Sequence, residues 1–175
     1  LAKSPDSVVV LDAVGRAQMA KGELRQAATS FSKVVQQRPN NGEAHLRLAQ
    51  IAHLSSDLPG AVAAYLRALS INPELDEAQA DLARLAAVPA NRPAVLSAVK
   101  KLQRDVPSKA YPHRIEGDIH FARRAFPEAI VAYSAGLGKE QAGRLPIRLH
   151  RALLSAGRGA EAKQMADQWR KTHPD

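Results

Sequence analysis

Apolar residues along this chain recur at the spacing of one face of an α-helix, in short blocks separated by polar residues, glycine or proline. The segment from residue 44 to residue 69 shows two such faces, the first formed by Ala44, Leu48, Ala49, Ile51 and Ala52, the second by Ala61, Val62, Tyr65, Leu66 and Leu69. Asp57 lies between them where a helix N-cap is expected, and Pro59 follows in the first turn, where its missing N–H costs little. No segment long enough for a β-strand alternates apolar and polar residues. The pattern predicts paired helices and no β-sheet.

The prolines show that this helix pair is repeated. Pro5, Pro39, Pro73 and Pro107 are 34 residues apart, and Pro59, Pro93 and Pro127 form a second series with the same spacing. A fixed period of this length is typical of repeat architectures. We expect five repeats, at residues 8–41, 42–75, 76–109, 110–142 and 143–175, with residues 1–7 as the remnant of a preceding repeat. The chain is then a piece of a longer array.

Within this frame, residue size recurs as well. Repeat position 8 is small (Gly15, Ala49, Ala83, Gly117), and position 20 is alanine in four repeats (Ala27, Ala61, Ala129, Ala162). Position 24, which is usually aromatic or large, is Phe31, Tyr65, Val99 and Tyr133. In period and pattern the chain resembles the tetratricopeptide-repeat family. The resemblance implies an all-α fold, a right-handed α-solenoid of about five helix-turn-helix repeats, and a role in binding proteins.

Several positions depart from the family pattern. Val95 replaces the alanine of position 20, Glu116 occupies a normally apolar position 7, and Gly136 stands at position 27. No proline closes the fourth repeat. The register between residues 136 and 146 therefore stays open.

The composition and short motifs of the chain exclude several kinds of catalytic and metal site. The chain has 175 residues, no cysteine and a formal net charge of +8, so disulfides and thiolate sites are excluded. His113 and His120 are seven residues apart on one predicted helix, a spacing of packing residues and not of zinc ligands. Gly157 and Gly159 lie where a turn between helices belongs, and no glycine-rich phosphate loop is present. We expect no catalytic residues, no metal and no cofactor.

The resemblance also implies a concave groove lined by the first helix of each repeat, mainly through repeat positions 2, 5, 6, 9, 12 and 13. The candidate contact residues are Arg16, Arg47, Gln50, Asp81, Arg84, Tyr111, Arg114, Asp118, Phe121, Arg148 and Arg151. Guanidinium groups suit carboxylate or phosphate through paired hydrogen bonds. Alternatively these residues pair with one another, since Arg114 and Asp118 are four residues apart on one helix.

Two further sequence patterns limit which class of partner the groove is expected to bind. The family's carboxylate clamp for chaperone C-termini needs Lys at position 5 and Asn at position 9, where this chain has Asp12 and Arg16, so co-chaperone function is not expected. The last repeat carries Arg144, Arg148, Arg151 and Arg158, but aromatic residues are not interleaved with them, so no nucleic acid is expected. The groove is predicted to bind a protein or peptide; an anionic polysaccharide at the basic last repeat is the alternative.

The second half has more distinctive strings, among them Arg92-Pro93-Ala94, Ile115-Glu116-Gly117-Asp118, Leu149-His150-Arg151-Ala152 and Trp169-Arg170-Lys171. Together these resemble the C-terminal repeats of large tetratricopeptide lipoproteins of bacterial exosortase (PEP-CTERM) sorting and exopolysaccharide systems. That resemblance implies a periplasmic, membrane-anchored lipoprotein, with membrane contact only through a lipid anchor outside this chain. A cytoplasmic regulatory repeat domain is the remaining alternative.

Overall fold

The computed structural model describes residues 7–139 and 144–172. Ten α-helices fill most of this part of the chain, and no β-strand lies within it. The helices are α1 Val8–Ala20, α2 Leu24–Gln37, α3 Gly42–Leu54, α4 Leu58–Ile71, α5 Asp76–Ala87, α6 Arg92–Asp105, α7 Tyr111–Ala122, α8 Phe126–Gly136, α9 Leu145–Ser155 and α10 Gly159–Thr172. The predicted all-α fold is confirmed.

The helices group into two compact units, Leu1–Leu85 and Ala86–Asp175. In the first unit, α1 packs on α2 and α3 packs on α4, and α2 also contacts α3. In the second unit, α7 packs on α8 and α9 on α10, while α6 contacts α7 and α8 contacts α9. Each unit is thus built from helical hairpins whose helices also contact the next hairpin, which is how repeat proteins bury faces that one hairpin leaves open.

Local sequence sets where the helices begin. The side chains of Ser7, Asn41 and Asp57 accept hydrogen bonds from backbone N–H groups in the first turns of α1, α3 and α4, which satisfies donors that have no partner inside the helix. Proline occupies the first turn of α4, α6, α7, α8 and α9. The N-cap predicted at Asp57, with Pro59 behind it, is confirmed.

The turn inside four of the hairpins contains a residue with left-handed backbone. These residues are Gly22 (φ 75°), Ser56 (φ 61°), Arg124 (φ 60°) and Gly157 (φ 73°), and the first three are separated by 34 residues or a multiple of it. Glycine adopts this conformation without steric cost, whereas for other L-residues, such as Ser56 and Arg124 here, it is sterically unfavourable. The repeat therefore extends to backbone geometry, and Gly157 lies in the turn predicted for it.

Close approach of paired helices explains the size pattern. A Cβ added to Gly15 on α1 would lie 2.7 Å from Cε2 of Phe31 on α2, and one added to Gly117 on α7 would overlap the ring of Tyr133 on α8. Phe31 and Tyr133 are both buried. In each hairpin a missing side chain on the first helix makes room for a ring from the second.

The departures from the family pattern also have structural counterparts. A Cβ at Gly136 would lie 2.7 Å from Cδ2 of Leu145, so the glycine leaves room for the Leu145 side chain where α8 meets α9. Glu116 is half-buried and accepts a hydrogen bond of 2.7 Å from the side chain of Gln103. Of the open register at residues 136–146, positions 140–143 lie outside the described residues, as do positions 1–6 of the predicted remnant.

Candidate functional site

The predicted contact residues lie on every second helix, from α1 to α9. Arg16 is on α1, Arg47 and Gln50 are on α3, and Asp81 and Arg84 are on α5, all in the first unit. The members in the second unit are Tyr111, Arg114, Asp118 and Phe121 on α7 and Arg148 and Arg151 on α9. Each group has its own geometry within its unit.

In the first unit a polar network joins α3 to α5. Arg47 Nη1 donates to Gln50 Oε1 at 2.8 Å and to Glu77 Oε1 at 2.9 Å. Gln50 Nε2 donates to Glu77 Oε1 and to Asp81 Oδ2, both at 2.9 Å. The hydrogen bonds from Arg47 and Gln50 hold the pKa of Glu77 below its ordinary value, so this carboxylate stays ionised. Two side chains of α3 are thus bonded to a single acid of α5.

The buried end of this network is Asp81. Its side chain accepts a hydrogen bond of 3.3 Å from the Tyr65 hydroxyl on α4 and forms an ion pair with Arg84. Burial raises the pKa of Tyr65 to about 12, which keeps the hydroxyl protonated as a donor. Asp81 is only 5% exposed, so the predicted contact residue acts in this structure as an internal acceptor.

The arginines of the first unit's predicted set all have carboxylate partners. Arg16 pairs with Asp12 at 2.8 Å, Arg47 with Glu77 at 2.9 Å, and Arg84 with Asp81. The pairing offered as the alternative reading of the sequence is therefore present here. Glu43, 3.7 Å from Arg47, and Glu77 both occupy repeat position 2. The acids at this position are the sequence signal that the arginines of this surface are balanced by carboxylates.

In the second unit, a buried acid joins three helices. Asp118 Oδ1 on α7 accepts hydrogen bonds from the Tyr133 hydroxyl on α8 at 2.7 Å and from Arg148 Nη1 on α9 at 2.8 Å. Burial raises the pKa of Asp118, and the Arg148 guanidinium opposes that rise. Burial likewise raises the pKa of Tyr133. Arg148 is thus held by an acid of its own unit and is not a free cation for a partner.

Two further predicted contact residues lie inside the protein. Tyr111 is 5% exposed and Arg114 is 2% exposed. The expectation that their side chains present a surface patch to a partner is corrected by this burial, because neither offers appreciable area to solvent. Helical spacing alone puts both on the predicted groove face, but the packing of the second unit covers them.

Of the predicted contact residues in the second unit, Arg151 on α9 is the exposed one. Four side chains along one face of this helix and its N-cap reach solvent, and we call them the α9 stripe: Arg144, Ile147, Arg151 and Leu154. Ile147 is 69% exposed and Leu154 is 53% exposed. The guanidinium carbon of Arg151 lies 5.0 Å from the ring centroid of Phe121, whose ring is tilted against that of Phe126 at 5.4 Å. Arg151 is therefore positioned over an aromatic ring while remaining exposed.

The α9 stripe has a signal in the sequence. Its members occupy repeat positions 2, 5, 9 and 12, all among the groove positions that the family resemblance implies. Of these four residues, only Arg151 is among the predicted contacts, and Arg144 belongs to the basic residues noted in the last repeat. Ile147 and Leu154 were missed because apolar residues on a helix are ordinarily assigned to the core.

Next to the stripe, α9 and α10 enclose an apolar pocket of about 310 Å³. Ile147 and Met165 line it together with Trp169, which is 42% exposed. In the part of the chain that the structure describes, no group of three or more histidine, aspartate or glutamate side chains is arranged to hold a metal ion. Within the same residues, no helix combines the length and hydropathy that crossing a bilayer requires.

Comparison with known proteins identifies the architecture. Residues 14–76 match the family profile described as Tetratricopeptide repeat. TTC0263, a thermophilic tetratricopeptide-repeat protein of Thermus thermophilus, aligns with 97% of this chain and 93% of its own at 20% identity and a TM-score of 0.52. YrrB, described as a tetratricopeptide-repeat protein with an unusual peptide-binding site, aligns with 99% of this chain and 90% of its own at 11% identity and a TM-score of 0.50. No curated protein sequence is significantly similar to the chain.

Residues 14–76 thus match the tetratricopeptide-repeat family, and the described residues have the all-α fold of solved tetratricopeptide-repeat proteins. Proteins of this class are in general non-catalytic scaffolds for protein–protein interaction.

Proposed function

We propose that this chain is a non-catalytic scaffold that binds a protein partner through the α9 stripe. The observation that carries the proposal is the exposure of Ile147 and Leu154 on the face that also presents Arg151. Large apolar side chains exposed beside charged ones are typical of interaction surfaces. Burying one of them fully is worth about 1.5–3 kcal/mol.

The partner's chemistry follows from the order of residues along the stripe. Cationic and apolar side chains alternate, from Arg144 through Ile147 and Arg151 to Leu154. An amphipathic helix with carboxylates and apolar side chains on one face complements that order, as in helix-in-groove recognition. Arg151 supplies the charge, since Arg148 is already paired with Asp118.

A binding experiment tests the proposal with a synthetic helical peptide that carries leucine and glutamate on one face. Calorimetry should show that Ile147→Ser with Leu154→Ser weakens binding about tenfold or more, as expected for central apolar contacts. The matched control is Val9→Ser with Val14→Ser, which removes two exposed valines from α1. Equal losses from both pairs, or no loss from the α9 pair, would reject the stripe as the binding surface.

The charged part of the surface has its own control. Arg151→Ala should weaken binding and reduce its salt dependence, because screening shortens the reach of a charge from ~10 Å at 0.1 M to ~3 Å at 1 M salt. Arg67→Ala and Lys163→Ala remove exposed cations from the second helices α4 and α10 and should leave the affinity unchanged.

For the cellular setting, we propose a bacterial export apparatus of the PEP-CTERM type, with the array in the periplasm on a lipid anchor. The support is the resemblance of strings such as Ile115-Glu116-Gly117-Asp118 and Trp169-Arg170-Lys171. An exosortase gene beside this one and a lipidated cysteine encoded upstream of residue 1 are the expected findings. A DNA-binding or kinase domain upstream would instead favour the cytoplasmic regulatory alternative, and binding of an anionic polysaccharide in place of the peptide would favour the polysaccharide alternative.

A further inference from the structure

A groove of about 870 Å³ runs along a different part of the second unit. Residues of α6 form one wall, residues of α8 form the other, and α7 contributes half-buried side chains between them. We call it the α6–α8 groove. None of its lining residues belongs to the α9 stripe.

The α6 wall presents two cations without partners. Lys100 and Arg104 are exposed, four residues apart, and neither forms an ion pair or hydrogen bond with any described residue. Their neighbour Lys101, by contrast, pairs with Asp105 at 2.6 Å. Residues with this spacing on a helix have Cβ atoms about 5–6 Å apart. The wall therefore offers two positive charges on side chains that start about one helical turn apart.

The α8 wall is apolar. Val131 is 70% exposed, with Ala135 and Pro127 beside it on the groove surface. A valine this exposed gains from any occupant that covers it. A ligand that fits both walls carries negative charge on one side and an apolar group on the other.

The middle of the groove holds ionisable groups of α7. Glu116 Oε2 accepts the hydrogen bond from Gln103, and its Oε1 lies 3.9 Å from His120 Nε2. The other ring nitrogen of His120, Nδ1, is buried with no hydrogen-bond partner in the described part of the protein. Glu128 adds an exposed carboxylate from α8, and Lys139 donates to the carbonyl of Pro107 at 2.7 Å.

We propose that the α6–α8 groove binds an extended acidic peptide segment of the pattern acid–apolar–acid. In an extended strand, side chains two residues apart lie on the same face, separated by about 6.6–6.8 Å. That separation is close to the spacing of Lys100 and Arg104, so two carboxylates of one strand face reach both cations. The intervening apolar side chain points the opposite way, toward Val131. The groove volume lies in the range of sites that hold small ligands or a few residues.

Binding also becomes pH-dependent in this arrangement. Burial lowers the pKa values of His113 and His120, and the charges of Lys139 for His113 and of Arg123 and Lys100 for His120 lower them further. Glu116 opposes the shift for both histidines, and Glu128 opposes it for His120. Carboxylates of a bound peptide stabilise the imidazolium forms and raise both pKa values. Binding therefore takes up protons, and affinity rises as the pH falls toward the histidine range.

The test uses the whole chain and a short synthetic peptide with blocked ends that alternates glutamate and valine. Calorimetry should detect binding that Lys100→Ala with Arg104→Ala weakens about tenfold, the effect of removing two solvent-exposed ion pairs. Lys101→Ala with Arg67→Ala removes the same charge from exposed sites outside the groove and should have no effect. Val131→Ser should also weaken binding. No binding by the unmodified chain, or equal losses from both charge pairs, overturns the proposal.

Two further experiments test the role of the histidines and the chemical class of the ligand. Titration in buffers of different ionisation enthalpy should show proton uptake, which His113→Gln with His120→Gln abolishes; uptake that persists in this variant overturns the role of the histidines. An acidic polysaccharide that binds where the peptide does not, and loses affinity with Lys100→Ala and Arg104→Ala, overturns the peptide assignment. Ile147→Ser with Leu154→Ser should leave this binding unchanged, so failure here and failure of the α9 stripe are distinguishable.

Discussion

Gly15 and Gly117 each lie within a helix, directly beside an aromatic ring of the following helix. Glycine costs about 1 kcal/mol relative to alanine in a helix interior, so a glycine retained there needs a compensating gain. Here the gain is the close seating of Phe31 and Tyr133, both nearly inaccessible to solvent. The ring beside Gly117 belongs to Tyr133, whose hydroxyl donates a hydrogen bond to Asp118.

Gly117→Ala tests this packing. Overpacking of a tight core costs about 1–3 kcal/mol, which exceeds the ~1 kcal/mol that alanine gains in helix propensity. We expect the free energy of unfolding to fall by about 1 kcal/mol in a chemical denaturation experiment. Gly159→Ala on α10 is the control, because a Cβ there meets no atom within 4 Å, and it should be neutral or slightly stabilising. A Gly117→Ala variant as stable as the parent would show that the Tyr133 ring is not seated as described.

Between helices, ionic hydrogen bonds join one hairpin to the next. Glu77 on α5 accepts from Arg47 and Gln50 on α3, which links these two helices in the first unit alongside the bond from Gln50 to Asp81. Because both bonds favour the ionised carboxylate, the link has a definite pH dependence. Its sign can be worked out from the lowered pKa of Glu77.

A folded-state pKa below the unfolded value means that the unfolded chain binds the proton more readily. The stabilising effect of Glu77 is therefore complete above about pH 4.5, the ordinary pKa, and is lost as the pH falls through the lower folded value. We expect Glu77→Gln to lower the melting temperature at pH 7, with the difference from the parent shrinking on acidification. Glu23→Gln, at an exposed carboxylate that makes no capping bond, should show no such pH-dependent difference. A constant difference at all pH values would argue against an ionic link.

The helices could be predicted from sequence, and the pairing of their side chains could not. Proline spacing and apolar periodicity predicted the all-α fold and the Asp57 cap, because these depend on neighbours close in the chain. The partner of Arg47 is 30 residues away at Glu77, and the partner of Arg148 is 30 residues away at Asp118. Those pairs depend on how successive hairpins stack. The burial of Arg114 and the exposure of Ile147 depend on the same stacking.

At the scale of the whole molecule, stability is expected to be distributed along the chain. Repeat proteins are held together by each hairpin and by its contacts with adjacent hairpins. The two compact units each contain such contacts, between α2 and α3 in the first and between α8 and α9 in the second. A local defect should therefore weaken its own neighbourhood first.

Ala61→Phe provides such a defect. Ala61 on α4 is fully buried, and a ring in its place should cost about 1–3 kcal/mol by overpacking. Hydrogen exchange should then show that the substitution accelerates amide exchange in α3 and α4 more than in α7 and α8, relative to the parent protein. Ala63→Phe, on the exposed face of the same helix, should leave exchange unchanged. Uniform acceleration along the whole chain would instead indicate a single all-or-none unfolding unit.

The pocket between α9 and α10 gives the molecule an intrinsic optical reporter. Trp169 is the only tryptophan in the sequence, and it shares that pocket with Ile147 of the α9 stripe. Since its indole is partly exposed, its fluorescence emission depends on how much water reaches the ring. A partner that covers Ile147 should shift that emission to shorter wavelength, whereas a peptide in the α6–α8 groove, which Trp169 does not line, should leave it unchanged. One spectrum, recorded without any label, thus tells an observer which of the two surfaces is occupied.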